Sequence, residues 1–358
     1  MSTSSLESSP DARLCATQPR RGFALPAVLA VTGVVTLIFL VAITALASLT
    51  AEAAAARARV RFLQRAMTAE AALAYMAATE PTRAYGFGVN DIRNPFDADF
   101  NAEPSNASGV PVEQVFADGR RYLMDVDGPL VLRLQDQAGM LNTAMLFGQV
   151  HERYLEAVGV EASERQPMIA RFQDYIDYDD LRQPNGAERA DYANGGPANR
   201  RLIRPTEWLS ILGARQAVDA KAWRRMRPHL AADPTASSIN VNTAGAPVLA
   251  LLFGLNESQA EALIRARADR PLTSLTDIGN VTGAAFDGDY EQVYTYPSGV
   301  TILTLHDTRS AWTYRARLTL TPTDLEQPLW IDQTELTEAP RRAVADTSDA
   351  TRLSYAPR

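Results

Sequence analysis

The sequence predicts an α+β protein: a long N-terminal helix packed on an antiparallel sheet, with a large all-α domain inserted between the strands. Three observations carry this. Gly22 to Ala51 is a run of 30 residues without a charge. Beyond it, Phe62, Ala66, Ala69, Leu73 and Met76 recur at intervals of 4, 3, 4 and 3, the spacing of one helix face. Two β-rich stretches then flank a helical block of roughly 150 residues, an ordinary domain size.

A helix as long as the uncharged run reaches ~45 Å, more than the roughly 30 Å of hydrocarbon in a bilayer, so the segment can span a membrane. Arg57, Arg61, Gln64, Arg65 and Thr68 fall on the remaining surface of the amphipathic part, and one helix from Phe23 to about Ala78 is the economical reading. Two competing readings are a secretory signal cut after Ala45-Leu46-Ala47 and a twin-arginine signal at Arg20-Arg21-Gly22-Phe23. Both leave the helix after Ala47 unexplained.

From Glu80 to about Gly119 the chain is rich in Asn, Asp, Pro and Gly and reads as loop. Arg121 to Val126 and Leu130 to Leu134 flank Asp127-Gly128, a strong hairpin signal. Helical patterning runs from Leu141 to about Ile278, interrupted by the polar tract Asp177 to Asn199. Val293 to Tyr296, Val300 to Leu305, Trp312 to Leu320 and Leu329 to Ile331 have strand-like, period-two character. Ala339 to Arg358 is polar and aperiodic, the expected behaviour of a mobile tail.

The chain has 358 residues, a mass of 39.0 kDa and a formal charge of −7. Residues 1–22 carry Arg13, Arg20 and Arg21 against Glu7 and Asp11, so losing that net +1 leaves about −8. An acidic chain is a poor partner for nucleic acid, whose affinity comes largely from neutralised phosphates. The single cysteine, Cys15, lies before Gly22. Once that leader is removed, disulfides, thiolate metal sites and cysteine nucleophiles are all excluded.

The leader Pro19-Arg20-Arg21-Gly22, followed by Phe23 and a long apolar helix that becomes an amphipathic stem, resembles a type IV pilin or pseudopilin precursor. In that family a prepilin peptidase cuts between the Gly and the Phe, here Gly22 and Phe23. Four features narrow the resemblance to the K-type minor pseudopilin of type II secretion, the GspK family. Position five of the mature helix is Ala27 rather than Glu. Leu132 to Gly139, followed by Leu141-Asn142-Thr143, is similar to the strand and turn that lead into the family's helical insert. Asp174-Tyr175-Ile176-Asp177-Tyr178-Asp179-Asp180, with Pro184-Asn185-Gly186-Ala187-Glu188, is similar to the family's acidic stretch. Ile239-Asn240-Val241-Asn242-Thr243-Ala244 leads into Val248-Leu249 and Ala262 to Arg267. One departure is Gly139-Met140-Leu141-Asn142, where the family has a Lys and an extra Asn.

The resemblance implies a pilin-like architecture: leader 1–22, transmembrane and stem helix 23–80, first β region 81–138, an inserted α domain of SAM or helix-hairpin-helix type at 139–289, returning strands 290–338 and tail 339–358. It also implies a single pass through the bacterial inner membrane, with the bulk of the chain periplasmic. The implied role is non-catalytic. The protein would cap the tip of the pseudopilus, help to initiate its assembly for export of folded proteins, and bind the I- and J-type minor pseudopilins. Phe23 would be N-methylated.

Asp174, Asp177, Asp179, Asp180, Asn185, Glu188 and Asp191 place seven oxygen-bearing side chains in 18 residues. Hard oxygen donors of this kind suit Ca²⁺. Counting Asp177 as one puts Asp179 at three, Asn185 at nine and Glu188 at twelve, as in an EF-hand, but Gly186 then falls at ten and Leu181 at five, so the loop is not an EF-hand. A structural calcium ion is what the resemblance implies; a solvated acidic loop whose Asp residues cap turns is the alternative.

Val248 to Arg267 resembles a helix-hairpin-helix, which in DNA-binding versions offers a second glycine amide to a phosphate. Here Asn256 stands at that position beside Glu257. A packing module is therefore favoured over a DNA-uptake protein, with Arg265, Arg267 and Arg270 as a solvated face. His151, His229 and His306 are isolated, and no nucleophile elbow, zinc-protease or phosphate-loop motif occurs. Two further alternatives are a minor pilin of a type IV pilus and a signal-anchored hydrolase with an acidic site.

Overall fold

The computed structural model of the protein describes residues 24–90, 113–234, 239–284, 297–307, 312–321, 327–338 and 347–353. Gly22 and Phe23 of the expected processing site, and Val293 to Tyr296, lie outside these. The chain divides after Val60 into two units. Helix α1 (Ala24–Thr79) runs through 56 residues and contributes to both.

In the first unit, residues 24–60 of α1 are exposed throughout, with Leu25, Leu40 and Leu49 each more than half accessible. The most apolar window has a mean hydropathy of 2.6, and by length and composition the helix can cross a membrane. Its polar side chains are internally satisfied. The hydroxyls of Thr32, Thr36 and Thr44 donate to the carbonyls of Val28, Thr32 and Leu40 at 2.7, 2.7 and 3.0 Å, which removes the cost of an unbonded hydroxyl in hydrocarbon.

In the second unit, the amphipathic stripe of α1 meets a sheet. Phe62, Ala66, Ala69, Leu73 and Met76 are at most 1% exposed. Between α1 and the hairpin lies a small antiparallel sheet of β1 (Thr82–Arg83), β2 (Gly86–Val89) and β3 (Glu113–Phe116). The reading of this stretch as loop is corrected here. Gly86 has a φ of +145° and a Cβ there would lie 2.2 Å from the Val115 carbonyl oxygen, so only glycine permits this approach.

Strands β4 (Asp118–Asp125) and β5 (Pro129–Asp136) form the expected hairpin. Asp127 and Gly128 both adopt positive φ, 50° and 104°, as a type I′ turn requires. Next come β6 (Leu141–Asn142), α2 (Gly148–Ala157), α3 (Ala162–Ile176), α4 (Ala214–Ala217), α5 (Ala220–Met226), β7 (Leu230–Ala231), α6 (Ala246–Phe253), α7 (Glu257–Asp269) and α8 (Leu275–Thr282). This helical block has its own core, in which Tyr154 meets Trp208 edge-on at 5.4 Å and Trp208 stacks on Trp223 at 6.2 Å.

The chain then returns as β8 (Val300–Asp307), β9 (Trp312–Leu320) and β10 (Leu329–Glu338), with β11 (Thr351–Arg352) near the end. The sheet order is β10-β9-β8-β5-β4-β11, antiparallel except where β11 runs parallel to β4. Leu130, Leu132, Leu134, Leu303, Leu305, Tyr314 and Ala316 join the α1 stripe in one core cluster. At roughly 25 cal/mol per Å² of apolar surface, each buried leucine among them contributes about 2 kcal/mol. The tail is thus not aperiodic throughout: the Leu353 amide donates to the Leu123 carbonyl at 2.9 Å and its side chain is buried.

Two arginines differ from their expected solvated positions. Arg65 is buried and donates to the carbonyls of Val126, Gly128 and Pro129 at 2.8 to 2.9 Å, pairing with Asp307 at 3.1 Å. The Arg267 side chain is 7% exposed and donates to the carbonyls of Val241 and Ala244 at 2.7 and 2.5 Å. Burial lowers its pKa to about 10, with Asp118 opposing the shift. Arg265 and Arg270 are exposed, as expected.

Candidate metal centre

Helix α3 presents Asp174 from its last turn, fully buried, and ends as the Asp177 amide donates to the Gln173 carbonyl at 3.0 Å. The following loop curls back over Asp174. The Gln183 amide donates to both Asp174 carboxylate oxygens at 3.3 and 3.2 Å. Asn185 takes a left-handed φ of 64°, and the Gly186 amide closes a turn onto the Gln183 carbonyl at 2.9 Å. Gly186 sits so close that a Cβ there would be 1.9 Å from Asp174 Oδ2. Gly186, Ala187 and Glu188 are consequently buried, whereas Tyr178 and Leu181 are exposed.

This fold-back brings three of the seven candidate residues together. Ligand oxygens of Asp174, Asp177 and Glu188 lie within 4.8 Å of one another. Asp177 Oδ1 and both Glu188 carboxylate oxygens are buried without a hydrogen-bond donor among the described residues. Unpaired buried carboxylates are costly. Burial pushes the Glu188 carboxyl up from its ordinary range, with the charges of Asp174 and Asp177 adding to the shift. Asp177 is raised by burial first, then by Asp179 and Asp174.

The remaining candidates serve the loop. Asp179 Oδ1 accepts from the Leu181 amide at 2.8 Å, and Asp180 Oδ1 lies 3.5 Å from Asn199 Nδ2. Asp191 accepts from the Glu188 amide at 2.9 Å and pairs with Arg182 at 3.3 Å. Asn185 contributes through its turn. The roles of Gly186 and of the Gln183 amide escaped sequence reading; the Asn185-Gly186 pair, a turn signal beside a carboxylate run, is the only trace of them.

Three convergent carboxylates, two of them with unbonded oxygens, fit a hard divalent cation, which would neutralise their repulsion and supply the missing partners. Asp174, Asp177 and Glu188 would hold it.

The helix-hairpin-helix is a packing unit in its local chemistry. Asn256 Oδ1 accepts from the Gln259 amide at 3.0 Å, and Gln259 Oε1 accepts from the Asn256 amide at 3.1 Å. The amide that would approach a phosphate is thereby used in a capping box. Arg153 donates to the Leu251 and Leu252 carbonyls and lies against Gly254.

Two family models, both described as Type II secretion system (T2SS), protein K, match residues 133–235 and 239–293. Type II secretion system protein K of Pseudomonas aeruginosa is 31% identical over 182 residues, covering 45% of this chain and 54% of that protein. The protein K of Pectobacterium carotovorum subsp. carotovorum is 36% identical over 130 residues, covering 33% and 38%. The chain thus spans about half or less of the length of the relatives it matches. A chain of the solved GspK-GspI-GspJ complex from enterotoxigenic Escherichia coli shares the fold, with a TM-score of 0.50, 14% identity, and coverage of 79% of this chain and 99% of that one. The first matched region holds the acidic loop and the second the capped hairpin, and over these two regions the chain is similar to type II secretion system protein K.

Proposed function

We propose that this chain is a non-catalytic minor pseudopilin of a type II secretion system. In this reading a prepilin peptidase cuts between Gly22 and Phe23, and Phe23 is N-methylated. Helix α1 then anchors the chain in the inner membrane with residues 61–358 in the periplasm. The observation that carries the reading is α1 itself: one 56-residue helix is exposed and apolar along its first part and forms the core stripe of the sheet along its last.

Ala27 supports a place at the pseudopilus tip. In the family a carboxylate at mature position five is thought to neutralise a neighbour's terminal amine, since a lone charge in hydrocarbon is costly. A subunit without it cannot satisfy a subunit beneath it in this way. The solved relative lies in a complex with GspI and GspJ, and I- and J-type minor pseudopilins are the proposed partners here, the assembly helping to initiate the pseudopilus. A Ca²⁺ ion held by Asp174, Asp177 and Glu188 stabilises the acidic loop. The capped Asn256 amide weighs against DNA uptake.

N-terminal sequencing of the protein from membranes tests the anchor, with N-methylated Phe23 expected and a freely diffusing form beginning at Ser48 overturning it. Co-purification of the I- and J-type subunits in detergent tests the partnership.

A further inference from the structure

Where the helical block meets β9 and β10, a cavity of about 350 Å³ is lined by Arg204, Arg227, Arg315 and Arg317, with Glu335 and Gln333 among its other walls. Four arginines line one space, a concentration of positive charge that favours an anion between them. Two are partly compensated. Arg227 pairs with Glu335 at 2.8 Å, and Arg317 with Asp233 at 3.0 Å. Arg204 and Arg315 form no ion pair among the described residues. Arg317 Nε is buried without a hydrogen-bond partner there, and burial lowers the pKa of Arg315, with Glu335 opposing and Arg227 adding to the shift.

The wall is shaped by an irregularity in β10. The strand gains one residue between Asp332 and Glu335, where Arg317 and Arg315 are the cross-strand partners. Gln333 takes a left-handed φ of 49°, and its side-chain amide donates to the Ile203 carbonyl at 3.2 Å. A non-glycine residue in that region is strained, and bulges and strain of this kind concentrate at binding sites. Here they hold the Glu335 end of β10 against the arginines.

We propose that this cavity is a binding site for a small oxyanion carrying two or more negative charges, a phosphate or a dicarboxylate, gripped by Arg204, Arg227 and Arg315. Guanidinium forks match both groups by paired N–H donation. The site is independent of the metal reading, since none of its residues belongs to the acidic loop.

Calorimetric titration of the full chain in detergent tests it, using inorganic phosphate and, separately, succinate against chloride of equal ionic strength, with free Ca²⁺ buffered alike throughout. The expected result is saturable binding of at least one probe, weakened at least tenfold in Arg204→Gln/Arg227→Gln and unchanged in the distant Arg265→Gln. Phosphate binding alone identifies a phosphate site, and succinate binding alone a carboxylate site. Arg204 is exposed and Arg227 partly so, so the double variant leaves the packed core untouched. Heats equal to chloride for both probes, or wild-type affinity in the double variant, overturn the proposal.

Discussion

Asp136 Oδ2 accepts a 2.7 Å hydrogen bond from the Asn240 side-chain amide, joining the end of β5 to a turn 104 residues later. The same carboxylate accepts from Thr243 Oγ1 at 3.2 Å, from Ser298 Oγ at 2.8 Å and from the Ala138 amide at 3.1 Å. Asn240 also donates to the Ala84 carbonyl at 2.9 Å. The chain thus leaves the sheet, enters the helical block and comes back within reach of one buried carboxylate. Gly139 makes this possible, since a Cβ there would lie 2.5 Å from Thr243 Oγ1.

Asp136→Asn should therefore destabilise the protein by about 2–4 kcal/mol, because an amide group would face donors on every side and leave several buried groups unpaired. Asn240→Ala should cost about 1–3 kcal/mol. Urea unfolding of both and of the double variant should show that the costs do not add, as expected for one network.

Calcium should raise the thermal midpoint of the wild type, by the equivalent of ~3 kcal/mol at a hundredfold excess over Kd. Asp177→Asn/Glu188→Gln should abolish that shift. In chelator the same variant should be no less stable than wild type, since it removes two carboxylates that repel each other and buried Asp174. Loss of stability in chelator as well would argue that these groups act through bonds within the protein.

Arg65→Met should destabilise by about 3 kcal/mol, because the guanidinium serves three carbonyls and buried Asp307 loses that cation. Exposed Arg61→Met, one turn earlier on α1, should change stability by less than ~0.5 kcal/mol. Chemical denaturation of the pair compares one residue type in two environments on one helix.

His151 is 2% exposed, packs edge-on against Phe172 at 4.8 Å, and has its pKa lowered by burial from 6.5 to about 4. Between those values the unfolded chain binds a proton that the folded protein refuses. The neutral-histidine contribution is therefore full above pH 6.5 and is lost on acidification, amounting to about 3 kcal/mol by pH 4. His306, also lowered to about 4 by burial, contributes with the same sign. His151→Phe should flatten the stability profile between pH 6.5 and 4 without removing its slope altogether.

Much of this fold is readable along the chain. The 4, 3, 4, 3 spacing from Phe62 to Met76 names the residues of α1 that reach the sheet, and Asp127-Gly128 names the turn of its central hairpin. The strands between Thr82 and Phe116 escape notice because they are two to four residues long, too short to display a period. At the candidate metal centre, the crowd of carboxylates is plain in the sequence, but not which of them turn inward.

Local chemistry along the chain sufficed for the long apolar helix, the stem stripe, the hairpin and the acidic loop, because each depends on neighbours within a few residues. Arg65, Arg267 and the choice of Asp174, Asp177 and Glu188 from seven candidates required the folded chain. A charge is buried only where distant carbonyls or carboxylates come to meet it, and a loop selects its inward residues only when a glycine such as Gly186 lets it close over a buried partner.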